Sequence, residues 1–185
     1  MQLIGALCAT GAALFWSIAV IMFKKSGEVL SPTALNLFKG VVTLILLVPT
    51  LWLSGIPLFP SRPINEWFLF AVSGLLGITL ADNFFFMALK KLGAGLWAVV
   101  DCLYLPAIIV LSAIFLNESI GLKGLAGAAL VAAAIIAGSY SGSPVVVKRR
   151  DVVVGIIYGG LAVTLMAGSI IMVKPLLENT SVLWA

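Results

Sequence analysis

The chain has 185 residues, 62% of them hydrophobic and 10% charged, with a mean hydropathy of +1.21. Soluble domains are roughly 45–50% apolar and about 25% charged, and a soluble domain this small cannot bury so much apolar surface, so the composition specifies an integral, multi-pass membrane protein. The net charge of +4 is scattered in ones, twos and a single triplet between apolar runs, which is how membrane-flanking charges are placed and excludes a nucleic-acid groove.

A membrane-crossing helix needs about 20 apolar residues, and six such runs follow one another. The first, Leu3–Phe23, comes after only "MQ", with no basic leader, and is expected to be a mature span and not a cleaved signal. Thr10, Ser17 and Lys24 recur every seven residues along it, forming one stripe, and Trp16 lies deep within it. "KKSGEVLSP" leads to the second span, Thr33–Leu53, where Asn36, Lys39 and Thr43 share a face at helical spacing. "SGIPLFPSRPINE", whose prolines a helix cannot continue through, leads to the third, Trp67–Leu89, in which Thr79, Asp82 and Asn83 cluster.

"KKLGAG" turns the third span into the fourth, Leu96–Leu116, where Asp101 and Tyr104 face together and Pro106 beyond them loosens the backbone ladder. "NES" turns into the fifth span, Gly121–Tyr140, and Glu118 in that turn is placed to favour the N-terminus of the following helix. "SGSPVVVKRRD" precedes the sixth, Val152–Val173. Gly124, Ala128 and Ala132, and then Gly155 and Gly159, stand four residues apart, a spacing that lets helix backbones approach closely in lipid. Lys90-Lys91 and Lys148-Arg149-Arg150 are expected to anchor the interface, as is most of the tryptophan complement. Cys8 and Cys102 sit inside apolar runs as packing residues.

Residues 4–31 and 154–181 match at seven positions without a gap, Gly5 with Gly155, Ala12 with Ala162, Ile21-Met22 with Ile171-Met172, Lys24 with Lys174, Glu28 with Glu178 and Ser31 with Ser181. Biased composition would give roughly two or three. Five spans before the restart put the second copy on the opposite side of the membrane, an inverted-topology repeat of the kind used by secondary transporters. The expected organisation is thus a first five-helix repeat over 1–141, an inter-repeat loop over 142–151, and the start of a second repeat over 152–185. Since that copy stops after one span, the remaining half of the carrier, or a second chain, is expected as a partner.

The ionisable residues inside spans carry the functional signal. A basic residue at a span centre costs roughly 2.5–3.5 kcal/mol on insertion scales, and Lys39 is such a residue. At 1.5 Å per residue, Lys39, Asp82 and Asp101 each lie roughly 8–10 Å from one membrane face, so Lys39 can pair with either aspartate. Two plain alternatives stand beside a pathway role: Lys39 snorkels to the interface, or the charges form a structural ion pair. Carboxylates at this depth suit a coupling proton or cation, whereas the ammonium suits an anionic group. Histidine is absent, which removes the commonest metal ligand and general base. No metalloprotease, phosphate-loop or acyl-transfer signature occurs, so neither enzyme activity nor a cofactor or metal is expected.

Several stretches in order, "LFWS", "LSPTALNLFKG", "LKKLGAGLWAVVDCLYLP" and "FLNESIGLKGLAGAALVAAAIIAG", resemble the EamA-like branch of the drug/metabolite transporter superfamily. The resemblance implies an all-α polytopic helix bundle of ten helices in two inverted five-helix repeats, about six of which are seen here. It further implies a carrier of small metabolites, amino acids, drugs or related compounds in a bacterial inner membrane. Its pathway would lie near Trp16, Lys39, Asp82, Asp101, Tyr104 and Pro106, with Asn36, Thr43 and Asn83 as polar neighbours. Trp16-Ser17 stands where the family often has Trp-Gly, and Lys39 where it often has arginine, an exchange that gives up bidentate anion recognition.

Sidedness stays open. Counting loop charges puts the N-terminus outside the cytoplasm, whereas the family more commonly places it inside. A non-transporting membrane assembly subunit, with purely structural charges, is the alternative to a carrier.

Overall fold

A computed structural model describes residues 2–118, 121–140, 148–178, 180, 181 and 184. Among them the chain is all-helical: α1 (Gln2–Val29), α2 (Pro32–Leu53), α3 (Ile64–Gly74), a π-helical segment (Leu75–Ala81), α4 (Asp82–Asp101), α5 (Tyr104–Leu116), α6 (Leu122–Tyr140) and α7 (Arg149–Leu177). Four described stretches, Leu3–Val29, Pro32–Leu53, Ile64–Asp101 and Arg149–Leu177, are long and apolar enough to cross a membrane, and Tyr104–Leu116 is a shorter apolar helix. The expected inter-repeat loop falls mostly outside the described residues.

Local chemistry accounts for the helix ends. Ser31 caps α2 by accepting the Ala34 N–H at 3.2 Å, and Pro32 occupies the first helical position, where its missing N–H costs nothing. α7 carries Asp151 in its first turn and Lys174 in its last, each sign complementing the helix dipole.

The helical stretch from Ile64 to Asp101 is not one rod. Gly93 adopts φ 74° and ψ 171°, a conformation that side chains with a Cβ avoid. The chain folds back on itself there, because the Phe85 and Trp97 rings lie only 4.8 Å apart, whereas twelve residues of straight helix would separate them by roughly 18 Å. This hairpin is the spine of the molecule. The fourth span, expected over Leu96–Leu116 with its backbone ladder loosened by Pro106, is interrupted outright at Cys102 and Leu103 before α5 begins. Pro106 supplies the reason: with no N–H it cannot bond the carbonyl of Cys102, and its ring crowds that group.

α7 lies along the hairpin, touching α3, the π segment, α4 and α5. Glycines set the approach. A Cβ on Gly155 would meet the Leu92 side chain at 2.5 Å, one on Gly159 would meet Val100 Cγ1 at 2.5 Å, and one on Gly77 would meet Ser169 Oγ at 2.5 Å. The buried core therefore runs through Phe85, Phe86, Ala88, Leu89, Leu92, Trp97 and Val100 of the hairpin to Ala162 and Val163 of α7. Outward, the large side chains of α1 and α2 are apolar and exposed, among them Leu7, Leu14, Ile18, Leu37, Leu44 and Ile45. Such a continuous apolar exterior suits lipid as the surrounding solvent.

Candidate functional site

Lys39 of α2 forms an ion pair with Asp82, the first residue of α4. Of the two aspartates open to it, Asp82 is the partner. The Asp82 side chain is only 5% exposed and that of Lys39 is 29% exposed, so the pair is reached from the Lys39 side. The ammonium also lies 5.8 Å from the centre of the Phe86 ring, whose negative face adds attraction.

The π segment builds the bed on which this pair rests. An i→i+5 turn is wider than an α turn and occurs often at functional sites. Here Asn36, one turn before Lys39, donates its Nδ2 to the carbonyls of Ile78 at 2.9 Å and Thr79 at 3.3 Å. Asn83 donates to the same Thr79 carbonyl at 2.7 Å. One carbonyl thus ties α2 to α4 beside the ion pair. Nothing in the sequence announced the π turn, whose Ile78 and Thr79 carbonyls are met by a carboxamide from another helix.

The expected residues divide between two spaces. Asn36, Lys39, Thr43 and Asn83 line a groove between α2 and the π segment, together with Thr33 and Thr79. Thr43 turns its hydroxyl to the Lys39 carbonyl at 2.9 Å and so satisfies its own helix. Thr10 and Ser17 of the α1 stripe do likewise, to Ala6 and Ala13. Trp16, Asp82, Asp101 and Tyr104 line a different space, a cavity of about 390 Å³ between α1, α4, α5 and α7. Asp82 is the wall between the two. Pro106 lines neither; it shapes the site by breaking the helix between Asp101 and Tyr104.

Phe85, Trp97, Ala162, Val163 and Met166 complete the cavity lining. Trp16 stacks on Phe85 with ring centres 5.8 Å apart, and its indole is the polar group that approaches Asp101. Phe85 is not singled out by the sequence, and Trp97 is counted there among the interface-anchoring tryptophans. Their role follows from the Gly93 turn, which folds them onto one another. A second opening, bounded by Trp16, Trp97, Asp101 and Tyr104 on one side and Ala128 and Ala132 of α6 on the other, adjoins the first.

Two further ion pairs hold α7 at its ends. Lys91, beside the hairpin turn, binds Asp151 at 2.7 Å. Glu118 accepts from Lys174 and from the Ser112 hydroxyl. Among the described residues Glu118 therefore ties α5 to α7; residues 119 and 120, which join it to α6 and bear on the helix-capping role expected of it, lie outside them. Lying outside the spans, its carboxyl is held below the usual range, first by the Lys174 hydrogen bond and then by that of Ser112. No cluster of potential metal ligands occurs among the described residues.

Comparison with known proteins agrees with this architecture. The family model of the EamA-like transporters matches residues 3–139, from α1 to the end of α6. A WAT1-related chloroplastic protein of Arabidopsis thaliana is 28% identical over 122 residues, a match that covers 66% of this chain and 29% of that protein's length. No solved structure matches. Multi-pass membrane helices, the hairpin with its paired intramembrane charges and the family match over most of its length place the chain in the EamA-like transporter family.

Proposed function

We propose that the chain acts as a secondary carrier of a small polar metabolite, working by alternating access, with its pathway through the cavity bounded by Trp16, Asp82, Asp101 and Tyr104. The observation that carries this is the cavity itself, in which two carboxylates at membrane depth face an aromatic-walled space of about 390 Å³. Intramembrane carboxylates are costly and are kept where they serve a pathway or a relay, and the volume is that of a small-molecule site. Asp101 is the group best placed to exchange with a coupling proton or cation. The remaining half of the carrier, or a second chain, would complete the wall that α1, α4, α5 and α7 begin. The compartment proposed with it is a bacterial inner membrane, which cell fractionation tests.

Transport by vesicles holding the purified chain is the direct test. Asp101→Asn is expected to abolish uptake while the protein remains folded and inserted; unchanged uptake would remove the cavity from the pathway. One observation favours the alternative of a non-transporting assembly subunit: the Lys39–Asp82 pair is closed and braced by Asn36 as a structural tie would be. A thermal shift induced by a transported solute separates the two, because a purely structural subunit has no small ligand to stabilise it.

A further inference from the structure

The charges around the central cavity are unequal. Asp82 and Asp101 are its ionisable lining groups besides the phenol of Tyr104, and no basic side chain lines it among the described residues. Asp82 is neutralised from behind by Lys39, which enters from the groove on the other side of α4 and does not line the cavity. Asp101 forms no ion pair among the described residues; an indole, that of Trp16, is the polar group that approaches it. Among the described residues the space therefore holds one uncompensated carboxylate. Around it stand Trp16, Phe85, Trp97 and Tyr104, with Ala162, Val163 and Met166 of α7 opposite.

We infer that the cavity is a site for an organic monocation, an ammonium or related onium group bound to Asp101 and boxed by these aromatic rings, its apolar body resting on α7. The inference rests on the carrier reading only in calling the ligand a substrate; the site itself stands on geometry and charge. An uncompensated carboxylate at membrane depth is stabilised by an incoming cation. Aromatic faces attract the same charge most strongly where water is excluded. Among the described residues an anion would meet Asp101 with no positive group to receive it, because the Lys39 ammonium is committed to Asp82. The preference is thus reversed from the one Lys39 alone suggests, and a single positive charge suffices, since Lys39 has already balanced the second carboxylate.

Benzyltrimethylammonium is the probe, with benzyl alcohol as its neutral and phenylacetate as its anionic counterpart. Calorimetric titration into the purified full chain in detergent is expected to show saturable binding of the cation, tighter than the alcohol by roughly tenfold or more, which corresponds to about 1.4 kcal/mol, and no binding of the anion. Asp101→Asn is expected to remove that advantage at an unchanged melting temperature. Asp101→Glu is expected to keep it, which separates loss of charge from loss of fold. Trp16→Leu, which keeps an apolar wall without the ring face, is expected to weaken the cation and leave the alcohol nearly unaffected. Tighter binding of phenylacetate than of the cation, or equal cation affinity in Asp101→Asn, would overturn the assignment. Vesicles that transport a solute while the cation neither binds nor competes would likewise overturn it and leave the carrier standing. Binding as expected in a chain that transports nothing would uphold the site and overturn the carrier.

Discussion

Lys39 and Asp82 explain each other's presence in the membrane, but they do so unequally. The Asp82 side chain is 5% exposed and short; that of Lys39 is 29% exposed and long enough to reach toward water. Removing the lysine should therefore hurt more than removing the acid. Lys39→Met leaves a carboxylate buried without its counter-ion and is expected to destabilise by about 3 kcal/mol or more. Asp82→Asn leaves an ammonium that can swing into the α2 groove and should cost less, and Lys39→Met with Asp82→Leu should recover most of the loss. Thermal unfolding of the four proteins in detergent checks the order. The existence of such a pair was legible in the sequence, since a lysine inside a span demands compensation. Its partner was not legible, because Asp82 and Asp101 lie at similar depth. The choice depends on how α2 is rotated, which Asn36 settles by reaching the Ile78 and Thr79 carbonyls.

At the level of elements, the hairpin and α7 are held together by positions where side chains are missing. Gly159 faces Val100 at a distance no Cβ tolerates, whereas a Cβ on Gly160, its neighbour, would meet nothing within 4 Å. Val100 is branched and buried and cannot yield, so Gly159→Ala is expected to destabilise by about 1–3 kcal/mol. Gly160→Ala should be neutral or mildly stabilising, because alanine is the better helix former. Paired melting curves decide between them. Small residues at four-residue spacing announced close packing in α7, and Pro106 announced a weak point after Asp101. The sequence was silent on what α7 would pack against, because Leu92, Trp97 and Val100 come together only after Gly93 reverses the chain.

Across the whole molecule, α7 is fastened at both ends, by Lys91–Asp151 and by Glu118–Lys174. The second clasp has a defined pH signature. Because the Glu118 carboxyl is held below its ordinary value of 4.5 in the folded chain, its contribution is fully present above that value and is lost as pH falls through the lowered one. The stability gap between the native chain and Lys174→Met should accordingly be flat near neutrality and close in acid, as read from melting temperatures across a pH series. A gap that widened in acid would contradict the clasp. The membrane class and the outward apolar faces were legible from composition alone, since lipid imposes them on every span. The clasps were not, because each joins residues more than fifty positions apart that looked like ordinary loop charges.

The π segment from Leu75 to Ala81 has a consequence for how this span tolerates change in length. An i→i+5 turn holds a residue that an α turn would omit. Losing one residue there would let the helix tighten without turning Asp82 away from Lys39, and the groove would forfeit only the carbonyls that Asn36 now holds. Elsewhere in the span the same loss would rotate everything beyond it by about 100°. The spare residue lies beside the most expensive charges in the chain, where a slip of register would do the greatest harm.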